Sequence, residues 1–178
     1  MKKMQKNEGF TLIELLIVVA IIGIIAAIAV PGLIRARMSG NEASAIGSIR
    51  TIASAEATYA SACGGGGYAV DIADLAKQPT AGGPSFIPAD LGAAVDATHL
   101  KSGYFFTVVD GPSGTTVLDN ADTCNAAGAD SSTQFFATTE PGTAGTTGTR
   151  YFATDHSGMI RQDSLNPLAD ITSGIPLQ

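Results

Sequence analysis

The sequence predicts an α+β protein in which one long N-terminal α-helix, first membrane-spanning and then amphipathic, packs against a small antiparallel β-sheet of about four strands. Three observations predict it. An uncharged apolar run extends from Leu15 to Ile34, an apolar stripe continues it to about Ala62, and beyond Gly103 short aromatic and β-branched stretches alternate with Gly, Asp, Asn and Pro clusters.

The run from Leu15 to Ile34 would rise about 30 Å as a helix, the thickness of a hydrocarbon core. A cleavable secretory signal has a shorter apolar core and a small-x-small cleavage site, so this anchor is expected to be retained. Lys2, Lys3 and Lys6 precede it and favour a cytoplasmic N-terminus, with Arg35 and Arg37 opposing that bias from the far side. Pro31 removes a backbone donor and with Gly32 marks the expected helix kink, either tolerated bending in a membrane helix or a segment able to loosen when its surroundings change. Beyond Ile34, Met38, Ile46, Ile49, Ile52, Ala53, Ala57 and Ala60 mark an apolar stripe with Arg50 and Glu56 off it. Anchor and stripe together predict one helix of about 50 residues, near 75 Å long. The glycines from Gly64 to Gly67 end it.

The remainder, 63–178, is expected to form one globular head: a loop region over 64–102 with a short helix near Val70 to Lys77, a sheet over 103–162 and a tail over 163–178. The expected strands are Gly103 to Val109, Thr133 to Thr139, Thr149 to Thr154 and Gly158 to Gln162, with Asp155-His156-Ser157-Gly158 as a tight hairpin connection. Such a sheet laid on the amphipathic half of the helix buries both apolar faces.

The formal net charge is −6, and taking away 1–9, whose three lysines and Glu8 sum to +2, leaves −8. After Gly64 only Lys77, Lys101, Arg150 and Arg161 oppose a dozen or so carboxylates, which argues against direct nucleic-acid binding by the head, and none is predicted. Cys63 and Cys124 are the only cysteines. On the exported side an even pair favours a disulfide over reactive thiols, and neither a CxxC spacing nor paired histidines support a metal.

Enzyme chemistry finds little footing. Asp155-His156-Ser157 has the residue types of a hydrolytic triad, but neighbours in a tight turn cannot place the imidazole between the other two. His99 has no nearby nucleophile. Asp119 and Asp122 sit with Asn125 and Asp130 in a loop whose oxygens a calcium ion could use, but the spacing matches no EF-hand and no metal or other cofactor is predicted.

Glu14 stands apart. A carboxylate in an apolar helix costs about 2.5 to 3.5 kcal/mol at the membrane centre and less near an interface, so it needs either snorkelling or a cation. Cleavage after Gly9 would create that cation as the new amino group of Phe10. Lys2-Lys3 through Gly9, followed by Phe10-Thr11-Leu12-Ile13-Glu14-Leu15-Leu16-Ile17-Val18-Val19, resembles the leader and helix start of type IV pilins and type II secretion pseudopilins. The resemblance spans about residues 2 to 34 and includes Pro31, where many pilins have a proline.

The resemblance implies that 1–9 is a prepilin leader, that a prepilin peptidase/N-methyltransferase cuts between Gly9 and Phe10 and methylates the Phe10 amine, and that Glu14 recruits the incoming subunit through that amine. It implies a single-pass inner-membrane precursor that the pilus assembly machinery polymerises through 10–34, with 35–62 continuing the helix, into a homopolymeric cell-surface filament. A structural role, as pilus subunit or as pseudopilin, is therefore expected rather than that of a membrane-anchored exported enzyme. The cysteine positions depart from many pilins, whose disulfide lies near the C-terminus.

Overall fold

The computed structural model describes residues 10–170 and 172–177; Lys2, Lys3, Lys6 and Gly9 lie outside them. The element order is α1 (Leu12–Ala62), α2 (Ile72–Ala76), α3 (Ala89–Gly92), β1 (Tyr104–Asp110), β2 (Thr116–Leu118), a 3-10 turn (Asn120–Asp122), β3 (Ser131–Ser132), β4 (Phe135–Pro141), β5 (Tyr151–Asp155), β6 (Arg161–Asp163) and β7 (Ile175–Pro176). The chain divides after Arg37 into two units.

In the first unit α1 is apolar on every side. Its large side chains from Leu12 to Ile34 are all exposed in the single chain, and α1 carries a stretch long and apolar enough to cross a membrane. Pro31 lies inside α1, and Cβ atoms added at Gly23 or Gly32 would meet nothing within 4 Å.

The second unit is an α+β head. Ala45, Ile49, Ile52, Glu56, Tyr59 and Cys63 are buried and follow one another at three- and four-residue steps along one face of the helix. This differs from the stripe expected from hydrophobicity: Glu56 is inside and Ala57 outside. The reason is local, because the Glu56 carboxylate accepts the Ala69 N–H at 2.9 Å, a donor that the chain leaves buried as it returns from the glycine turn. That turn begins where Cys63 and Gly64 both donate to the Tyr59 carbonyl at 2.8 Å. Gly64 is required there, since a Cβ would lie 2.7 Å from Tyr59 Cε1.

Against this helix face lies a five-stranded antiparallel sheet in the order β1-β4-β5-β6-β7. Tyr104, Phe106 and Val108 alternate inward along β1 and meet Phe135, Ala137 and Phe152 with the helix residues in one core. Three strands exceed the expected four. The tail returns as β7, and its Leu168 joins Phe136 and Ala153 in a second cluster. A separate two-stranded sheet, β2 with β3, also forms. Cys63 and Cys124 are joined in a disulfide across a separation of 61 residues, which stabilises the head by about 4 kcal/mol in the chain-entropy view.

Candidate assembly site

The N-terminal site is built on the first turn of α1. Thr11 is the residue before the helix, and Glu14 is its third residue. The Thr11 N–H and hydroxyl donate to Glu14 Oε2 at 3.0 and 2.5 Å, and the Glu14 N–H donates to Thr11 Oγ1 at 3.3 Å. This is a reciprocal capping box, which satisfies donors that a helix start otherwise leaves open. It also favours the carboxylate electrostatically, because negative charge at a helix N-terminus faces the positive end of the macrodipole.

The signal that could have identified Thr11 was present as the Thr-x-x-Glu spacing ahead of an apolar run. Only Oε2 takes these bonds, so Oε1 accepts no hydrogen bond among the described residues. Phe10, two residues before the helix, is 86% exposed. The cleavage position Gly9 lies outside the described residues, and Pro31 and Gly32 lie further along the exposed apolar part of α1.

Elsewhere the polar groups of the head serve its own architecture. Glu42, on α1, reaches across to the start of β5: its Oε2 accepts Arg150 Nε at 2.8 Å, and its Oε1 accepts the Thr149 N–H at 2.8 Å. Burial acts to raise the Glu42 carboxyl, but the bonds from Thr149 and Arg150 outweigh it and hold the group below the usual carboxylate range. Arg150 also donates to Gln162 at 2.9 Å and lies over the Phe152 ring, 5.3 Å from its centroid. Glu56 is the converse case. It is fully buried, Asp74 adds like charge, and one of its oxygens has no partner among the described residues. Burial first, and Asp74 second, push its carboxyl up to about 8, against the lowering effect of the Ala69 N–H.

The triad residue types form a turn: Asp155 accepts the Ser157 N–H and hydroxyl at 2.8 and 2.5 Å, while His156 is exposed. His99 sits on an exposed turn with its Nδ1 3.0 Å from Asp96. Asp119 precedes the 3-10 turn, and Asp122 closes it. Among the described residues no group of three or more His, Cys, Asp and Glu side chains is placed to hold a metal ion.

Comparison with known proteins bears on the N-terminal site alone. Residues 4–30 match the family model for the prokaryotic N-terminal methylation motif. The chain is 45% identical over 54 residues to the type IV major pilin protein PilA of Myxococcus xanthus, a match covering 30% of this chain and 24% of that relative. It is 56% identical over 39 residues to the type IV wide pilus major component PilA4 of Thermus thermophilus, covering 22% of this chain and 30% of the relative. It is 39% identical over 59 residues to the type II secretion system core protein G of Vibrio cholerae, covering 33% and 40%. Each match thus spans less than half of the relative concerned, and no solved structure matches. By this motif and these relatives, about the first third of the chain is similar to type IV pilins and to a type II secretion core protein.

Proposed function

We propose that this chain is a structural subunit, a major or minor pilin, that polymerises through its N-terminal helix into a type IV pilus. The observation that carries the reading is the pairing of an exposed, all-round apolar helix with one carboxylate at its head, immediately after a Gly9-Phe10 junction inside the methylation motif. Hydrolysis of that peptide bond by a prepilin peptidase leaves the carboxylate on Gly9 and a free amine on Phe10. N-methylation of the amine keeps its positive charge. The open Oε1 of Glu14 then accepts from the amine of a neighbouring copy while Thr11 continues to hold Oε2, which orients the carboxylate without saturating it.

The apolar residues from Leu12 to Ile34 exchange lipid for the helices of neighbouring copies, so assembly never exposes them to water. Withdrawing the helix from a bilayer calls for an inner-membrane assembly machine, because passage through water would be prohibitive. The precursor in this reading spans the inner membrane with its N-terminus in the cytoplasm, and the assembled chain stands on the cell surface.

Mass spectrometry of the mature protein should find a methylated Phe10 at its start, and an intact Met1 terminus would remove the reading. Glu14→Ala should stay in the membrane yet lower sheared filaments by about tenfold or more, the factor that roughly 1.4 kcal/mol per contact represents. Normal filament yield from that variant would remove the proposed role of Glu14. The Vibrio cholerae relative favours a second reading, a pseudopilin. Electron microscopy of sheared cell surfaces separates the two, because long filaments containing this chain belong to a pilus.

A further inference from the structure

The head half of α1 keeps one face in water, and its only exposed charge between Met38 and Ala62 is Arg50. Arg50 borders a shallow groove of about 330 Å³ with Thr51, Ser54, Thr58 and Phe86. It takes part in none of the ion pairs among the described residues, whereas Lys77, Lys101 and Arg150 are paired with Asp74, Asp90 and Glu42. On the acid side, Asp119 and Asp122 are exposed in one turn and likewise take part in no ion pair.

These unmatched groups are far apart within one copy. Leu118, next to Asp119, lies against Gly65, and Cys124 is bonded to Cys63, so the acidic turn sits at the C-terminal end of α1. Arg50 lies about 20 Å back along the helix at 1.5 Å per residue. One copy therefore cannot join them.

We propose that the Arg50 groove of one copy receives the Asp119–Asp122 turn of a second copy, forming a head-to-head contact between unlike surfaces. Charge complementarity commits the occupant: the chain beyond Gly64 carries a dozen carboxylates against four cations, so a second copy supplies the acid that Arg50 lacks. Because the two surfaces differ, a pair leaves the turn of one copy and the groove of the other unused. A contact of this kind propagates into an open assembly rather than closing as a dimer. The inference rests on the filament reading above and adds to it a contact made by the heads.

The test is a charge exchange in the full-length chain, expressed in cells that assemble it and scored as sheared filament per unit of total protein. Arg50→Glu should lower the yield about fivefold to tenfold, and the double variant Asp119→Arg, Asp122→Arg should do the same. Combining all three should restore at least half of the wild-type yield, and Arg50→Lys should assemble normally. An intact Cys63–Cys124 bridge and unchanged protease resistance of the membrane pool establish folding. Should Arg50→Glu fail that check, Arg50→Gln and the Asp119→Asn, Asp122→Asn pair carry the same expectation without reversing charge. Wild-type yield from folded Arg50 variants, or reversals whose defects accumulate instead of cancelling, would overturn the contact. A wild-type chain that forms no filament overturns the filament reading itself, which is a different outcome.

Discussion

The two halves of α1 are one continuous helix, yet they solve opposite problems. From Leu12 to Ile34 the helix buries none of its large apolar side chains in the chain, whereas from Ala45 to Tyr59 it buries one face completely against the head. Its first half packs on nothing in the chain's own core, and its second half packs on that core. Even the carboxylates follow this division. Glu14 shares a capping turn with Thr11 and keeps one oxygen open, while Glu42 and Glu56 are spent inside the head on Arg150, Thr149 and Ala69. Glu14 thus keeps an oxygen free of the chain's own bonds, whereas Glu42 and Glu56 are engaged in holding the head.

The strongest way to break this comparison is through the disulfide at the end of the helix. Cys63→Ser with Cys124→Ser should lower the stability of the head by about 4 kcal/mol, read as the urea midpoint of the full-length protein in detergent micelles. Reduction of the wild-type chain should reproduce the effect, and an unmoved midpoint would mean that the bridge adds nothing to the folded head.

A smaller effect separates the two halves directly. Ile52, fully buried, should cost about 3 kcal/mol when changed to Ala, whereas Ile22→Ala, more than half exposed, should leave the same midpoint in place. Equal shifts from both changes would refute the division.

The effect that is smallest per step, a pH slope, sharpens the account of the carboxylates. The folded head holds Glu56 protonated up to about 8, above its ordinary 4.5, so its contribution to stability is fully present below about 4.5 and is lost as the pH climbs to about 8. Over that window the wild-type head should lose about 1 kcal/mol per pH unit. Glu56→Gln, which keeps an acceptor for the Ala69 N–H, should flatten the slope. An unchanged slope in that variant would assign the pH dependence to another group. Glu42 has the opposite sign: its carboxyl is depressed, so its contribution is present above 4.5 and fades as the pH falls through its folded value.

Much of this architecture was legible in the residues. The uncharged run to Ile34 and the glycines at 64–67 bracket a helix that the structure ends at Ala62, and aromatic and β-branched stretches locate β1, β4 and β5. The short helix Ile72–Ala76 falls within Val70 to Lys77. Less legible was the partner of each polar group. Hydrophobicity placed Glu56 outside because no local rule announces that Ala69, thirteen residues on, will present a buried N–H. The strand at Ile175–Pro176 was hidden for a similar reason: Pro176 and an exposed Ile175 carry no alternating pattern, and the pair becomes a strand only because β6 offers it an edge. At the assembly site the carboxylate was conspicuous and the threonine was not, although Thr11 supplies both bonds to Glu14 Oε2.

The sequence by itself determined the apolar length of the first half of α1, the Gly9-Phe10-Glu14 pattern ahead of it and the acidity of the head, because each is a property of composition and spacing along a chain. Tertiary structure alone decided that Glu56 lies inside, that Leu168 packs on Phe136 and Ala153, that β7 completes the sheet, and that Arg50 and the Asp119–Asp122 turn are left unmatched at separate places. Those are properties of proximity, and proximity between residues far apart in sequence exists only once the chain has closed its core.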